Sequence, residues 1–219
     1  MEDWLNRLAV LDSCAVSDAL DALHLGGYAP GIHRVTVRQR VCGKVSTVTL
    51  GPAGGRVATA HLGTRAIDAA TDQSVIVVAH QGRLDAAGWG GNLSIAAMQR
   101  GVRGVIVDGA CRDVDEIEDM GFPVYAKGVV PCTARGRVIE YGWNDPVVVA
   151  GVKVAPGDYV VADSSGVVFI PRSHVEEVIQ AAEQIVRQES AMAERLRAGE
   201  PSVDVMGRNY ETMLEESGE

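Results

Sequence analysis

The sequence has few cysteines, and their spacing lacks the pairs that mark metal or redox motifs. Cys14, Cys42, Cys111 and Cys132 include no C-x-x-C pair, which argues against a zinc ribbon. A chain of 219 residues can bury a core without a disulfide framework, so we expect reduced thiols in a cytoplasmic protein. Cys111 precedes Arg112, where it is either an activated thiol or a small buried residue.

Long apolar runs and an excess of basic charge are also absent. No run approaches the roughly 20 residues that a membrane helix needs, and the opening Met-Glu-Asp-Trp-Leu does not follow the basic-then-apolar pattern of a secretion signal. The 20 basic and 29 acidic residues give a formal net charge of −9. We therefore expect no nucleic-acid or membrane partner, and an anionic substrate would need local positive charge or a metal ion.

Three familiar motifs of catalysis or cofactor binding are missing as well. The five histidines show no H-x-x-x-H spacing, the G-x-G-x-x-G dinucleotide fingerprint is absent, and no serine stands in a nucleophile elbow. His80 follows an apolar run and is either a group that faces a functional cleft or a structural residue.

The central part of the chain alternates between strand and helix patterns. The predicted elements are a strand over 74–79, a helix over 92–100, a strand over 102–107, a helix over 113–120 and a strand over 123–126. This alternation predicts parallel βαβ units, in which functional groups gather beyond the carboxyl ends of the strands.

The flanking regions predict strands of a different kind. Residues 34–50 alternate in polarity and predict two strands, and 146–171 predicts several strands joined by turns. The fold class is therefore α/β with a sheet that is only partly parallel.

The C-terminal part of the chain predicts one long helix that ends near residue 198. Ser173 and Glu176 have the spacing of a capping box at its start, and its later turns are charged as though the helix projects from the domain. We divide the chain into a domain over 1–172 and a C-terminal helix and tail over 173–219, which we expect to serve as an oligomer arm.

A glycine-rich turn before the central helix is the first candidate for ligand binding. The residues Gly90, Gly91, Asn92 and Leu93 open this helix, so its first N–H groups are free to hold a carboxylate or phosphate. The alternative is a structural glycine turn with an asparagine cap.

Two charged side chains follow the next strand, where we expect a tight turn at Asp108 and Gly109 to deliver them. Arg112 would either grip a carboxylate or a developing enolate, or pair with a surface acid. Asp113 would either bind a hard cation such as Mg²⁺ or cap the following helix in a capping box with Glu116. The other acids of that helix predict a solvated helix start.

Taken together, these residues resemble the RraA-like family, which contains the 4-hydroxy-4-methyl-2-oxoglutarate aldolases and the regulator of ribonuclease activity A. The segment from Trp89 to Leu93 and the spacing Gly91-x20-Arg112-Asp113 match the aldolase motif of that family. The similarity extends from the Ser-Asp-Ala-Leu at 17–20 through the Asp-Ser-Ser-Gly at 163–166 to the Ile-Pro at 170–171, and the Arg-Leu-Arg-Ala-Gly-Glu at 195–200 is also typical of the family.

The resemblance implies both an architecture and an activity. It implies an α/β/α sandwich with a central mixed, partly parallel sheet and a projecting C-terminal helix, assembled as a homo-oligomer, trimer or hexamer, with sites between subunits. It also implies a lyase, a class II pyruvate aldolase dependent on Mg²⁺ or Mn²⁺ that also decarboxylates oxaloacetate. The alternative is a non-catalytic regulator of ribonuclease activity that acts by protein contact.

The resemblance also implies roles for individual residues. Asp113 would bind the metal ion, and Arg112 would bind the keto or enolate oxygen of the substrate. The backbone N–H groups of Asn92 and Leu93, in the turn 90–93, would hold the pyruvyl carboxylate. Glu189, from the C-terminal helix of a neighbouring subunit, would reach the metal ion through water.

One position departs from the family pattern. Aldolases of this family commonly carry an acidic residue where this chain has Gly91, and that acid reaches the metal ion through water. Asn92 would be a neutral substitute for it.

Overall fold

A mixed β-sheet with helices packed around it forms the body of the protein in a computed structural model that describes residues 4–58 and 60–207. The helices are α1 (Trp4–Val10), α2 (Ser13–Ala22), α3 (Thr64–Ala69), α4 (Gly91–Gln99), α5 (Val114–Asp119), α6 (Val175–Arg197) and α7 (Ser202–Val205). The strands are β1 (His33–Arg34), β2 (Val41–Pro52), β3 (Ser74–Trp89), β4 (Val105–Cys111), β5 (Val124–Val129), β6 (Val138–Trp143), β7 (Val147–Val149), β8 (Val152–Val154), β9 (Tyr159–Ala162) and β10 (Val167–Ile170).

The strand order confirms the predicted α/β class with a mixed, partly parallel sheet. Within the described residues, eight strands form one sheet in the order β1-β5-β4-β3-β2-β9-β10, with β6 also paired to β2. The four strands β2 to β5 are parallel, and β1, β6, β9 and β10 join antiparallel. The hairpin of β7 and β8 is separate.

The two faces of the parallel strands pack against different partners, because successive side chains point to opposite sides. Ile76 shares a core with α3, α4 and α5, whereas Val75 shares one with β9, β10 and the β7–β8 hairpin. On this second face the Tyr125 hydroxyl of β5 donates to the carbonyl oxygens of Gln39 and Ala162 at 2.8 and 3.0 Å. Because β5 and β9 are separated by three strands in the sheet, this contact between them shows that the sheet curls until it is nearly closed.

A third apolar cluster joins the N- and C-terminal helices to β9 and β10. The inward side of α6 buries Val175, Val178, Ile179, Ala182 and Ile185. Arg7 of α1 donates two hydrogen bonds to the Glu183 carboxylate of α6, at 2.8 and 2.9 Å. The later turns of α6 are largely exposed.

Two expected features of the C-terminal region have different outcomes. The capping box of Ser173 and Glu176 is wrong: Ser173 lies in a 3-10 turn at 172–174, and its hydroxyl bonds to His174. The role of 173–219 as an oligomer arm stays a prediction, and residues 208–219 of that tail lie outside the described residues. No helix of the described part has an apolar stretch long enough to cross a bilayer.

The predicted strand ends need correction on either side of the central helix. The turn expected at Asp108 and Gly109 is wrong, because both lie inside β4. The strand expected over 74–79 continues as an irregular β3 to Trp89, where the pairs Ala87–Ala110 and Trp89–Cys111 supply β4 with partners. The two strands expected over 34–50 are one short β1 and the long β2.

Asp163 ties the N-terminal helices to the turn between β9 and β10. Its carboxylate accepts hydrogen bonds from the Ser13 N–H (2.8 Å), the Ser13 hydroxyl (2.7 Å) and the Ser165 N–H (2.9 Å). Burial alone would raise the pKa of Asp163, but these hydrogen bonds outweigh it and the net pKa lies below its usual value.

We predict that Asp163→Asn lowers the free energy of unfolding by about 1–3 kcal/mol at pH 7, because it weakens hydrogen bonds to a partly buried carboxylate. A depressed folded-state pKa stabilises the fold above the unfolded pKa of about 4, and this stabilisation is lost as the pH falls through the lower folded value. The difference from the unmodified protein should therefore shrink near pH 3 in urea titrations. Asp119→Asn, at an exposed position, is the control, and a difference independent of pH would contradict the prediction.

Candidate functional site

A small, partly open cleft with a volume of about 60 Å³ lies beyond the carboxyl ends of β3 and β4, where ligand sites of parallel sheets are expected. Three segments form its walls: the end of β3 with the start of α4, the junction of β4 and α5, and two loops near residues 61 and 134. The lining residues are His61, Leu62, Ala87, Trp89, Gly90, Gly91, Asn92, Leu93, Arg112, Asp113, Thr133, Ala134 and Arg135.

The start of α4 is held in place by a buried tryptophan. Trp89 is 2 % exposed, and its indole N–H donates to the Ser94 hydroxyl at 2.9 Å. The first intrahelical bond runs from the Ser94 N–H to the Gly90 carbonyl at 3.1 Å. The N–H groups of Asn92 and Leu93 precede that bond and so point out of the helix end, where they can hold an anion.

The junction of β4 and α5 places Arg112 and Asp113 beside this helix end. The Arg112 N–H donates to the Trp89 carbonyl at 3.1 Å, which fixes the end of β4 against the end of β3. Asp113 has a left-handed backbone with φ of 59°. Its Oδ2 accepts hydrogen bonds from the Gly91 N–H at 3.0 Å and from Arg112 Nε at 3.2 Å.

The expected helix cap of Asp113 is wrong, although the residue does stand at the N-cap position. Within the described residues its side chain makes no capping hydrogen bond to α5, because the carboxylate turns instead to Gly91 of the neighbouring helix. The side chains of Arg112 and Asp113 are 35 % and 33 % exposed, so their ion pair is weak and solvated. Within the described residues Asp113 Oδ1 accepts no hydrogen bond, so this oxygen is available to a ligand in the cleft.

Both glycines at the start of α4 meet charged side chains. A Cβ built on Gly90 would lie 2.8 Å from Asp113 Oδ2 and 3.2 Å from Arg112 Cγ, so a side chain there would force the Asp113 carboxylate to shift. A Cβ built on Gly91 would lie 2.5 Å from Oε2 of Glu116. The carboxylates of Asp113 and Glu116 therefore border Gly91 together.

The chemistry of these two carboxylates fits a hard divalent cation. Mg²⁺ binds oxygen ligands and usually keeps several waters beside one or two protein carboxylates. A site made by protein ligands alone does not fit, because the described residues contain no group of three or more His, Cys, Asp or Glu placed to hold a metal ion. Asp113 and Glu116 suit a partly hydrated Mg²⁺ or Mn²⁺ and would not suit a closed zinc site.

The structure brings most of the predicted site residues to one cleft but leaves Glu189 outside it. Gly90, Gly91, Asn92, Leu93, Arg112 and Asp113 all line the cleft. Glu189 lies on the largely exposed part of α6. Its carboxylate is partly desolvated by its neighbours, and this together with the charges of Asp18 and Asp12 raises its pKa. In its own subunit, Glu189 is not a lining residue of this cleft.

Two other candidates prove to be structural. His80 is fully buried, its Nε2 lies 2.8 Å from the Ala86 carbonyl, and burial lowers its pKa. Cys111 is also buried, and burial raises the pKa of its thiol to about 11, so the thiol stays protonated and is not an activated nucleophile.

Sequence reasoning missed three contributors to the site. The sequence predicts Glu116 as the capping-box partner of Asp113 and not as part of the site. It does not line the cleft, but its carboxylate borders Gly91. Its position three residues after Asp113 was a usable signal, since such residues share a helix face. His61 and the segment 133–135 lie in loops without periodicity, so only the folded chain could bring them to the cleft.

Comparison with known proteins gives relatives along most of the chain. The model of the RraA-like family, described as Aldolase/RraA, matches residues 13–169. Protein DlpA of Legionella pneumophila is 31 % identical over 82 % of this chain, and the alignment spans 29 % of DlpA. A protein of Halalkalibacterium halodurans named as a putative 4-hydroxy-4-methyl-2-oxoglutarate aldolase is 29 % identical over 83 % of each chain.

Solved structures give the same picture of the fold. A protein from Pseudomonas syringae pv. tomato superposes with a TM-score of 0.85 at 28 % identity, over 94 % of this chain and 98 % of the other. The RNA-processing inhibitor RraA from Thermus thermophilus superposes with a TM-score of 0.58 at 27 % identity, over 71 % of this chain and 92 % of the other. The likeness to the first structure covers nearly the whole chain, including most of the C-terminal region.

Proposed function

The chain belongs to the RraA-like family, and from this membership and the cleft we propose that it is a divalent-metal-dependent pyruvate aldolase. Its proposed substrate is a 4-hydroxy-2-oxo dicarboxylate like 4-hydroxy-4-methyl-2-oxoglutarate, the compound in the names of several relatives. The observation that carries the proposal is the meeting of Arg112, Asp113 and the open N-terminus of α4 in one cleft.

The residues of the cleft suit the cleavage of a carbon–carbon bond next to a pyruvyl group. The N–H groups of Asn92 and Leu93 hold the C1 carboxylate. When the C3–C4 bond breaks, its electron pair delocalises onto the C2 oxygen, and the Arg112 guanidinium stabilises that negative charge. The proton of the C4 hydroxyl passes to a water molecule of the open cleft, and water then returns a proton to C3 of the enolate, which gives pyruvate. When bound at Asp113 and Glu116, Mg²⁺ or Mn²⁺ supplies Lewis-acid stabilisation of the same oxyanion.

Oxaloacetate fits the same chemistry as a second substrate. Loss of its C4 carboxylate as carbon dioxide leaves the same pyruvate enolate, so the charge that Arg112 stabilises is the same in both reactions. We therefore propose oxaloacetate decarboxylation as an accompanying activity of this cleft.

Non-catalytic regulation of a ribonuclease is the second candidate function. It is supported by the likeness to the RNA-processing inhibitor from Thermus thermophilus. A regulator needs no cation and no alignment of Arg112 with the helix end. Failure to release pyruvate from any 2-oxo acid in the presence of Mg²⁺ or Mn²⁺ would favour this function.

We predict that Arg112→Ala lowers the rate of pyruvate release from 4-hydroxy-4-methyl-2-oxoglutarate by roughly 10²- to 10⁴-fold, because the enolate oxygen loses the guanidinium that stabilises its negative charge. Asp113→Ala should abolish the metal dependence together with the activity, and a chelator should do the same to the unmodified protein. The measurement is a coupled pyruvate assay with and without Mg²⁺.

Asp115→Ala is the matched control, since Asp115 is an exposed acid of α5 that does not line the cleft. It should retain nearly all of the activity. Near-full, metal-dependent activity of Arg112→Ala or Asp113→Ala would refute the assignment of the site.

We also propose that Glu116 replaces the acidic residue that relatives carry at the position of Gly91. Glu116→Gln should weaken the affinity for Mg²⁺ or Mn²⁺ by roughly 10- to 100-fold, because the loss of a carboxylate near a cation has effects of this size. Calorimetric titration with Mn²⁺ measures the change. Glu118→Gln, an exposed acid of the same helix, is the control. Equal affinities of the two variants would contradict this role.

We propose further that the chain acts as a homo-oligomer, trimer or hexamer, in which Glu189 of one subunit approaches the cleft of the next. Asp113→Ala and Glu189→Ala subunits should each be inactive alone, whereas co-expressed mixtures should recover part of the activity, because some clefts then combine two intact partners. Glu194→Ala, an exposed residue farther along α6, serves as the control. A fully active Glu189→Ala protein, or mixtures no more active than their parents, would contradict a shared site.

A further inference from the structure

A second arginine, Arg135 on the loop between β5 and β6, also lines the cleft, and its side chain is exposed to solvent. In the described part of the chain its guanidinium forms no ion pair with a carboxylate, which is also true of Arg56 and Arg103. Of the two arginines that line the cleft, Arg112 pairs with Asp113 and Arg135 has no such partner among the described residues. The chain carries nine more acidic than basic residues, so acids to pair with it are plentiful. An arginine that lines a cleft without a protein acid indicates an anionic ligand.

The backbone that carries Arg135 is fixed to the same strand ends as the rest of the site. The Val130 N–H donates to the Cys111 carbonyl at 2.9 Å, at the end of β4. The Ala87 N–H donates to the Cys132 carbonyl at 3.0 Å, near the end of β3. Because Arg112 and Asp113 depend on those two strand ends as well, the position of Arg135 relative to them is set by the sheet.

The surroundings of Arg135 could accept either an alkyl tail or a carboxylate at the end of the substrate farther from α4. The cleft adjoins a groove lined by Arg56 and by apolar residues, among them Val57, Val138 and Ile139. Leu62, Ala134 and Arg135 border both spaces. An alkyl tail would use the groove alone and leave the guanidinium unpaired. A carboxylate would pair with the guanidinium, which presents two parallel N–H donors to such a group.

We propose that Arg135 determines substrate specificity by binding the second carboxylate of a dicarboxylate, an inference that rests on the proposed aldolase function. The N–H groups of α4 hold the C1 carboxylate, and Arg135 holds the carboxylate at the other end. The substrate is thereby oriented with its C3–C4 bond beside Arg112 and Asp113. Arg135 contacts the substrate away from the reacting atoms, so its loss affects recognition more than chemistry.

The test compares two substrates that differ only at the distal end. Cleavage of 4-hydroxy-2-oxoglutarate and of 4-hydroxy-2-oxopentanoate both release pyruvate, but the first carries a carboxylate where the second carries a methyl group. With Mg²⁺ present, Arg135→Gln should lower kcat/KM for the dicarboxylate by roughly 10- to 100-fold, the effect of losing a charge-assisted hydrogen-bonded pair. Its kcat/KM for the monocarboxylate should change less than about threefold.

Two further variants separate the charge of Arg135 from structural effects. Arg135→Lys should recover part of the preference for the dicarboxylate, because it keeps the charge but loses the paired donors. Arg38→Gln, which removes an arginine that does not line the cleft, should leave both substrates unaffected. Equal losses on both substrates in Arg135→Gln, or no loss on either, would overturn the proposal.

Binding of unreactive analogues tests Arg135 apart from turnover. By calorimetry with Mg²⁺, the unmodified protein should bind 2-oxoglutarate at least about tenfold more tightly than 2-oxopentanoate, and Arg135→Gln should lose this difference. If the protein releases no pyruvate but keeps the preference, the aldolase function fails and the carboxylate site stands. If the unmodified protein binds the two analogues equally, or prefers 2-oxopentanoate, the inference about Arg135 is wrong whatever the activity.

Discussion

The geometry of the site depends on one hydrogen bond, from the Gly91 N–H of α4 to Oδ2 of Asp113 at 3.0 Å. This bond joins the start of α4 to the start of α5, at the carboxyl ends of the neighbouring parallel strands β3 and β4. Asp113 adopts a left-handed backbone to make it, a conformation that costs an L-residue about 1–2 kcal/mol. A hydrogen bond to a charged group contributes about 1.5–3 kcal/mol, which is enough to offset that cost. The second carboxylate oxygen and the remaining N–H groups are left for a ligand.

The packing beneath this bond explains why the cleft can remain open and polar. Trp89 and Cys111 are buried side by side as register partners at the ends of β3 and β4, so the backbone that carries the charged groups is supported from within. The charged side chains themselves are about one-third exposed, which spares them most of the cost of burial. Gly90 completes the arrangement, because any side chain there would displace Asp113.

Much of the fold could be predicted because its signals are local. The apolar run Val105–Val107 predicts the buried strand β4, and the alternation with α4 and α5 indicates parallel strands. Predictions failed where a distant partner decides the conformation. Asp108 and Gly109 look like a turn, but β3 offers them backbone partners and they continue a strand. Asp113 has the spacing of a helix cap, yet its carboxylate accepts a hydrogen bond from the Gly91 N–H of the neighbouring helix α4 instead.

The sequence by itself determined which groups would gather at the carboxyl ends of the strands: the glycine turn before α4, and the adjacent Arg112 and Asp113. These follow from strand and helix periodicity and from the single direction of parallel strands. Only the tertiary structure decided that Glu116 reaches the space beside Gly91, that His80 is buried, and that the loop with Arg135 forms a wall of the cleft. Contacts between residues far apart in the chain depend on how the sheet curls and where loops are anchored, and no local pattern of residues encodes either.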